Sequence, residues 1–287
     1  MKFSILGTGT MGTAIGEAIL NAGHDLIVYN RTMDRTKSLV EKGAIAVVSP
    51  AEAIAGSDIT FIITADGKSA LKVLNDSDVL LALKGKKIIN AATSSVEDTL
   101  KINDIVIKNG GFFTEMAIDA IPETIRTTTG RVKIGCKSED ESSLVEILSS
   151  FIGEIVRVGN IGDVSKIELI NLLGNTFSII KNAYVIALAE KYQISSEIIT
   201  ESIISSDPMA EFYLPSMIAH NYDTMFGTIK GQIDVMTSLI SGVGNQGIST
   251  KLLEEVLNLY KKTDEIGYSN KDIFAVLEAL VNGNKEQ

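Results

Sequence analysis

The sequence predicts an α/β chain in two parts: a doubly wound, mostly parallel sheet, then an all-helical remainder. Three observations carry that expectation. An apolar strand runs through a Gly-x-Gly-x-x-Gly turn into a helix at the N-terminus. Strand and helix patterns then alternate to about residue 158. From Gly162 onward, strand signals vanish and apolar spacing is helical.

The opening stretch is the most informative. Phe3-Ser4-Ile5-Leu6 reads as a strand and leads into Gly7-Thr8-Gly9-Thr10-Met11-Gly12. Met11, Ile15, Ala18, Ile19 and Ala22 recur every three or four residues, and Leu26-Ile27-Val28-Tyr29 reads as a second strand ending at Asn30. In that context the glycines form a Rossmann-type dinucleotide fingerprint. Gly7 permits the tight turn, Gly9 admits a pyrophosphate to the backbone, and Gly12 lets the helix pack on the strand. Thr10 and Met11 open the helix, where free N–H groups and the positive dipole end favour phosphate.

The end of the second strand selects the dinucleotide. A carboxylate there would bind an unmodified ribose and repel a 2′-phosphate. This chain places Asn30, Arg31 and Thr32 there, with Arg35 a turn later. Guanidinium and hydroxyl groups suit a 2′-phosphate, so NADPH is the expected cofactor.

The remaining elements follow in order. Residues 33–42 read as a helix, 46–48 as a short strand, and Pro50 starts another helix. Strand 58–63 leads to Thr64, Ala65 and Asp66; strand 87–90 ends at Asn90, just before Thr93 and Ser94. A helix over 96–109 is followed by strands at 111–117, 131–135 and 154–158, with Ser138 and Glu141 at capping-box spacing. Ligands of such sheets lie beyond the carboxyl ends of the strands. Thr64, Ala65, Asp66, Asn90, Thr93 and Ser94 therefore join the expected cofactor set.

Residues 163–192 contain no strong breaker except Gly174, which implies a helix of about 45 Å at 1.5 Å per residue. The expected division is a cofactor domain over 1–161, an interdomain helix over 162–192, and a helical domain over 193–287. Helices are expected at 198–205, 208–221, 228–239, 249–266 and 270–281, before a polar, frayed tail over 282–287.

Bulk properties narrow the functional class. The chain has 287 residues, 45% of them hydrophobic, enough for a sizeable core. Its net charge is −10 with no basic run, which argues against nucleic acid or an anionic membrane as partner. The single cysteine, Cys136, reads as a buried thiol and fits a reducing, cytoplasmic compartment. No leader pattern or uninterrupted apolar run of membrane-spanning length is expected. With two histidines, His24 and His220, and one cysteine, no metal site is expected; His24 reads as structural.

The order of these features resembles the β-hydroxyacid dehydrogenase superfamily, and most closely its imine reductase and reductive aminase branch. The resemblance covers nearly the whole chain. Gly7 to Gly12 with Asn30-Arg31-Thr32 forms its first block, and Asn90 with Thr93-Ser94 resembles the loop along the nicotinamide ribose. The segment Ala117-Ile118-Asp119-Ala120-Ile121-Pro122, then Ile125 and Thr127, is similar to the imine reductase pattern. Hydroxyacid dehydrogenases instead grip a substrate carboxylate there with a serine and glycine amides. Six residues after Gly159-Asn160-Ile161-Gly162 stands Glu168, with Asn171 three further on. The dehydrogenases carry their proton-donating lysine at that position, and imine reductases often an aspartate or tyrosine; Glu departs from both. Lys166 is about 200° away around the helix. The resemblance further implies NADPH dependence and a homodimer. Tyr213, Met217, Met236 and Met209 are candidate pocket walls, though plain core is the stronger reading of each.

The sign of charge leads to a chemistry. Carbonyl reduction builds negative charge on oxygen, which an ionised Glu opposes. Imine reduction passes through a cationic iminium, which a carboxylate stabilises. Asp119 and Glu168 thus favour a nitrogen-bearing substrate, with Glu168 as proton donor or electrostatic partner and Asn171 and Asn175 on its helix face. The competing enzyme is a reductase of small aldehydes or β-keto acids, which needs a cation at the substrate oxygen; none is evident at the matching positions. A non-catalytic NADPH sensor is the third reading.

Overall fold

A computed structural model describes residues 1–125, 129–223 and 226–282. Thr127 and residues 283–287 of the tail lie outside that set. Contacts divide the chain into two units, Met1–Glu168 and Leu169–Gln287. The division falls inside one continuous helix, Asp163–Lys191, so the helix expected to stand between domains contributes its first turns to one unit and the rest to the other.

The first unit is an eight-stranded sheet in the order β3-β2-β1-β4-β5-β6-β7-β8. Its strands are β1 (Lys2–Leu6), β2 (Asp25–Tyr29), β3 (Ile45–Ala46), β4 (Ile59–Ile62), β5 (Lys87–Asn90), β6 (Phe112–Ile118), β7 (Arg131–Gly135) and β8 (Glu154–Gly159). The first six follow the doubly wound 3-2-1-4-5-6 order. Every pairing is parallel except β6 with β7. The central strands are continuous apolar runs because both faces are covered; all four residues of β4 are buried. In this core Phe151 packs T-shaped against Phe3 and Phe61, and the ring of His24 lies tilted against Phe3. His24 also meets the Ser150 hydroxyl at 3.0 Å, and burial lowers its pKa, as a structural histidine should behave. Cys136 is fully buried, and burial raises its pKa, so the thiol is a core group.

Two local expectations give way to the structure. Residues 33–42 do not form one helix: a 3-10 turn, Met33–Thr36, precedes a short helix, Lys37–Val40. The capping box at Ser138 does not form, because the helix already includes Ser138 and its N-cap is Lys137, without a side-chain cap. Glu139, Asp140 and Glu141 complement the dipole there instead.

The second unit is helical. Ile229–Gly244 packs beside Lys251–Thr263, and both contribute to a core with Ala183, Ile186, Tyr213, Met217, Met236, Tyr260 and Phe274. Three of the four candidate pocket walls, Tyr213, Met217 and Met236, are thus buried core residues, whereas Met209 is 66% exposed. By length and composition alone the helix Asp163–Lys191 is apolar enough to cross a membrane, although Glu168 and Lys181 interrupt its apolar run. Only 39% of its most apolar window is buried.

A polar cluster also lies in this unit. His220, at φ +50°, reaches Glu278 Oε1 with Nδ1 at 2.5 Å and Glu190 Oε1 with Nε2 at 2.8 Å. Tyr222 donates its hydroxyl proton to Glu278 Oε1 at 2.6 Å. Burial works to lower the His220 pKa, but the two carboxylates outweigh it and hold the pKa above 6.5. A raised folded-state pKa contributes stability that is fully present below 6.5 and is lost as pH rises through the folded value. The melting temperature is therefore expected to fall over that window above 6.5, and His220→Gln is expected to flatten the fall. Thermal melts at several pH values check this.

Candidate functional site

At the carboxyl end of β1, Gly7 has φ +109°, and a Cβ there would strike the Ile63 carbonyl. A Cβ on Gly12 would strike the Gly7 carbonyl, while Gly9 has open space around its Cα. The three glycines thus meet three separate demands: a left-handed turn, room above the backbone, and close helix–strand approach. Helix Thr10–Asn21 has Gly9 as its N-cap and no capping side chain, so its first N–H groups remain available to an anion. These features fit a dinucleotide pyrophosphate.

Asn30 acts as a tie between loops. Its Oδ1 accepts from Thr8 N at 3.1 Å and its Nδ2 donates to the Thr32 carbonyl at 2.8 Å. Thr8 in turn donates its hydroxyl to the Arg35 carbonyl at 3.0 Å. The loop bearing Arg31, Thr32 and Arg35 is thereby fixed against the glycine turn. All three side chains are exposed, and among the described residues neither arginine has an ion-pair partner.

The loops after β4 and β5 are joined to each other. Asp66 caps helix Gly67–Leu74, accepting from Ser69 N at 2.7 Å, and Thr64 donates its hydroxyl to the Asp66 carbonyl at 3.1 Å. Asp66 is therefore occupied as a helix cap. Gly67 N donates to the Thr93 carbonyl at 3.0 Å. Asn90 is buried; its Nδ2 donates to Ser94 Oγ at 3.2 Å, whereas its Oδ1 has no partner among the described residues. A buried acceptor left open at a strand end suits a ligand such as the nicotinamide ribose.

The acidic residues are brought together by the antiparallel pairing of β6 and β7. Glu115 lies opposite Gly135 and Ala117 opposite Lys133. Alternation then sets Glu115, Ala117 and Asp119 on the same face as Arg131, Lys133 and Gly135. The long helix starts on that face. Buried Glu115 accepts from Gly162 N and Ser165 N, both at 2.7 Å, and from the Ser165 hydroxyl. Gly135 makes the approach possible, since a Cβ there would come within 2.7 Å of the Asn160 carbonyl and 3.0 Å of the Glu115 carboxylate. Thr99 and Ser165 hydroxyls pair at 2.8 Å from the other side.

With the helix start fixed, its next turn carries Glu168 to β7. Lys133 Nζ donates to Glu168 Oε1 at 3.0 Å and lies 3.3 Å from Asp119 Oδ2. The Lys133 side chain is only 13% exposed, against 42% for Glu168 and 48% for Asp119. Arg131 stands 4.0 Å from Asp119 and 3.5 Å from Glu154. Burial works to lower the Lys133 pKa, but Glu168 and Asp119 outweigh it and hold it above the ordinary lysine value. Lys166 turns back to Asp163 at 2.9 Å, in keeping with its helical offset. Asn171 and Asn175 belong to the second unit, where both are exposed.

This corrects the expected electrostatics. The sequence suggested two uncompensated carboxylates and no nearby cation; the structure places one ammonium between them. Glu168 is held in an ion pair rather than in an apolar pocket. Counted with Arg131 and Glu154, which extend the network from Asp119, three carboxylates meet two cations and one net negative charge remains. Lys133 carried a sequence signal, a charged residue between the buried Val132 and Ile134 of a strand, but its partners depend on strand direction, which local sequence does not encode.

Comparisons with known proteins agree with this architecture. Residues 2–159 match the family model described as the NAD binding domain of 6-phosphogluconate dehydrogenase. Glyoxylate/succinic semialdehyde reductase 1 of Arabidopsis thaliana is 28% identical, with 98% of each chain covered. The structure of 3-hydroxyisobutyrate dehydrogenase from Mycobacterium tuberculosis with L-serine superposes with a TM-score of 0.85 at 18% identity, covering 97% of this chain and 98% of that one. An imine reductase from Myxococcus stipitatus in complex with NADP+ superposes at 0.66 and 19% identity, covering 98% and 100%.

Proposed function

Because this chain belongs to the family of the 6-phosphogluconate dehydrogenase NAD binding domain, within the β-hydroxyacid dehydrogenase superfamily, we propose that it is an NADPH-dependent reductase of carbon–nitrogen double bonds. One observation carries the reading: Asp119 and Glu168, from different elements, converge on a single protonated nitrogen, that of Lys133, at 3.3 and 3.0 Å. The cluster retains a negative charge, so it favours a cationic iminium over a developing oxyanion.

In this reading Gly7, Gly9, Thr10, Met11 and Gly12 hold the pyrophosphate, and Arg31, Thr32 and Arg35 the 2′-phosphate. Asn90, Thr93 and Ser94 line the nicotinamide ribose. Bound NADPH supplies the hydride. Glu168 is the electrostatic partner of the substrate nitrogen, and Asp119 adds negative potential beside it. The substrate enters as the protonated imine, so no side chain need surrender a proton before hydride transfer.

A second reading is favoured by a specific observation. Lys133 supplies the cation that reduction of an aldehyde or keto acid requires, and its ammonium is a hydrogen bond from residue 168. The Arabidopsis relative named for glyoxylate and succinic semialdehyde points the same way. NADPH oxidation with a cyclic imine such as a pyrroline, measured beside glyoxylate and succinic semialdehyde, separates the two. The imine is expected to be turned over at least tenfold faster in kcat/KM; turnover of aldehydes alone overturns the first reading.

The reading includes a homodimer. Ile170, Tyr184, Leu188 and Tyr192 are each more than half exposed along and just beyond the long helix, an apolar face that suits a second copy of the chain.

A further inference from the structure

We propose that Lys133 is a positioning residue, clamping Glu168 and Asp119 into one cluster from beneath and leaving a single negative charge for a monocationic substrate. The proposal rests on the C=N reading for the substrate class, but the clamp itself does not.

Three features support it. Lys133 is rooted in the sheet, so its stem is fixed by β7 while both carboxylates are nearly half exposed. A free Glu side chain has several rotamers within reach; the ion pair to Lys133 selects one. Lys133 is also the sole ion-pair partner of Glu168 among the described residues. Furthermore, an ammonium has three donors, and two of them serve carboxylates from different elements, the loop after β6 and the second turn of the long helix. Neutralising one carboxylate avoids two like charges beside one substrate nitrogen. A site with two free carboxylates would favour a dication or draw a proton onto one acid.

The clamp predicts a split that a purely structural lysine does not. Without it, Glu168 is misplaced for the reacting nitrogen, yet the site is more negative. In Lys133→Met, kcat on a pyrroline is therefore expected to fall at least tenfold, while KM stays level or falls. NADPH affinity, read by cofactor fluorescence, should change less than twofold, since the ion-pair partners of this lysine among the described residues are Glu168 and Asp119. Lys133→Arg, which keeps charge and reach, should recover kcat to within about threefold of the unmodified protein. In a Glu168→Gln background, Lys133→Met should cost less than twofold, because the group being positioned is already altered.

Equal losses in both backgrounds overturn the proposal, as does a fall of NADPH affinity and melting temperature in step with kcat. A Lys133→Met protein with unchanged kcat overturns it directly. If the unmodified chain reduces aldehydes and no imine, the C=N reading fails, and the same four-variant cycle on the aldehyde still tests the clamp. A chain that turns over neither substrate overturns both.

Discussion

Glu115→Ala is expected to lower the unfolding free energy by about 3–4 kcal/mol, read from urea or guanidinium denaturation. The carboxylate is buried and receives two backbone N–H groups and one hydroxyl from the start of the long helix. Removing it leaves donors buried without an acceptor, at roughly 1–3 kcal/mol for each unsatisfied group. Water entering the space returns part of that. Glu115→Gln is expected to cost less, because the amide oxygen still accepts from one set of donors, although its N–H then opposes the other. Activity should fall with stability in the alanine variant even in its folded fraction. The first turn of the helix sets where Glu168 meets Lys133, and a shift of about 1 Å is enough to lose a factor on the order of one hundred in rate. A stability loss under 1 kcal/mol would show that the helix start is held by other contacts.

Replacing Arg31 and Arg35 together by alanine is expected to raise the Kd for NADPH at least one hundredfold while leaving that for NADH within about threefold. Both guanidinium groups stand exposed on a loop that Asn30 and Thr8 tie to the glycine turn. Each charge-assisted hydrogen bond to a 2′-phosphate is worth about 1.5–3 kcal/mol, and two removed together give a hundredfold or more at 1.4 kcal/mol per factor of ten. NADH lacks the phosphate, so it serves as the internal control for damage to the fold. Parallel weakening of both cofactors would move the arginines from phosphate recognition to loop structure. Because both partners are charged, the NADPH effect should also shrink with added salt.

The cofactor half was readable because its signals are local. Short apolar or alternating runs bounded by turn residues mark strands, and strand β5 and strand β7 coincide with the sequence expectation residue for residue. The glycine turn was readable for the same reason, since each glycine answers to backbone geometry within a few residues. Two helices, Gly67–Leu74 and Ser77–Ala82, escaped notice although each begins at an aspartate cap, Asp66 and Asp76. Both are short, and two turns are too few for apolar spacing to distinguish a helix from a strand, even though Ala70 and Leu74 lie on one helix face. The rearranged ends of the later helices, such as the 3-10 turn Pro208–Phe212 before Leu214–Ile218, follow from packing that the spacing of apolar residues does not record.

The sequence alone establishes that this chain carries a pyridine-nucleotide fold, that residue 168 is a carboxylate, and that the loop after the second strand is basic. Each of those is a statement about residue type at a position fixed by neighbours in the chain. The tertiary structure alone decided the charge around Glu168. Lys133 lies 35 residues away along the chain and reaches the helix because β7 runs antiparallel to β6. Strand direction is settled by long-range pairing, the helix start is held by Glu115, and the electrostatics of the site is a sum over neighbours in space.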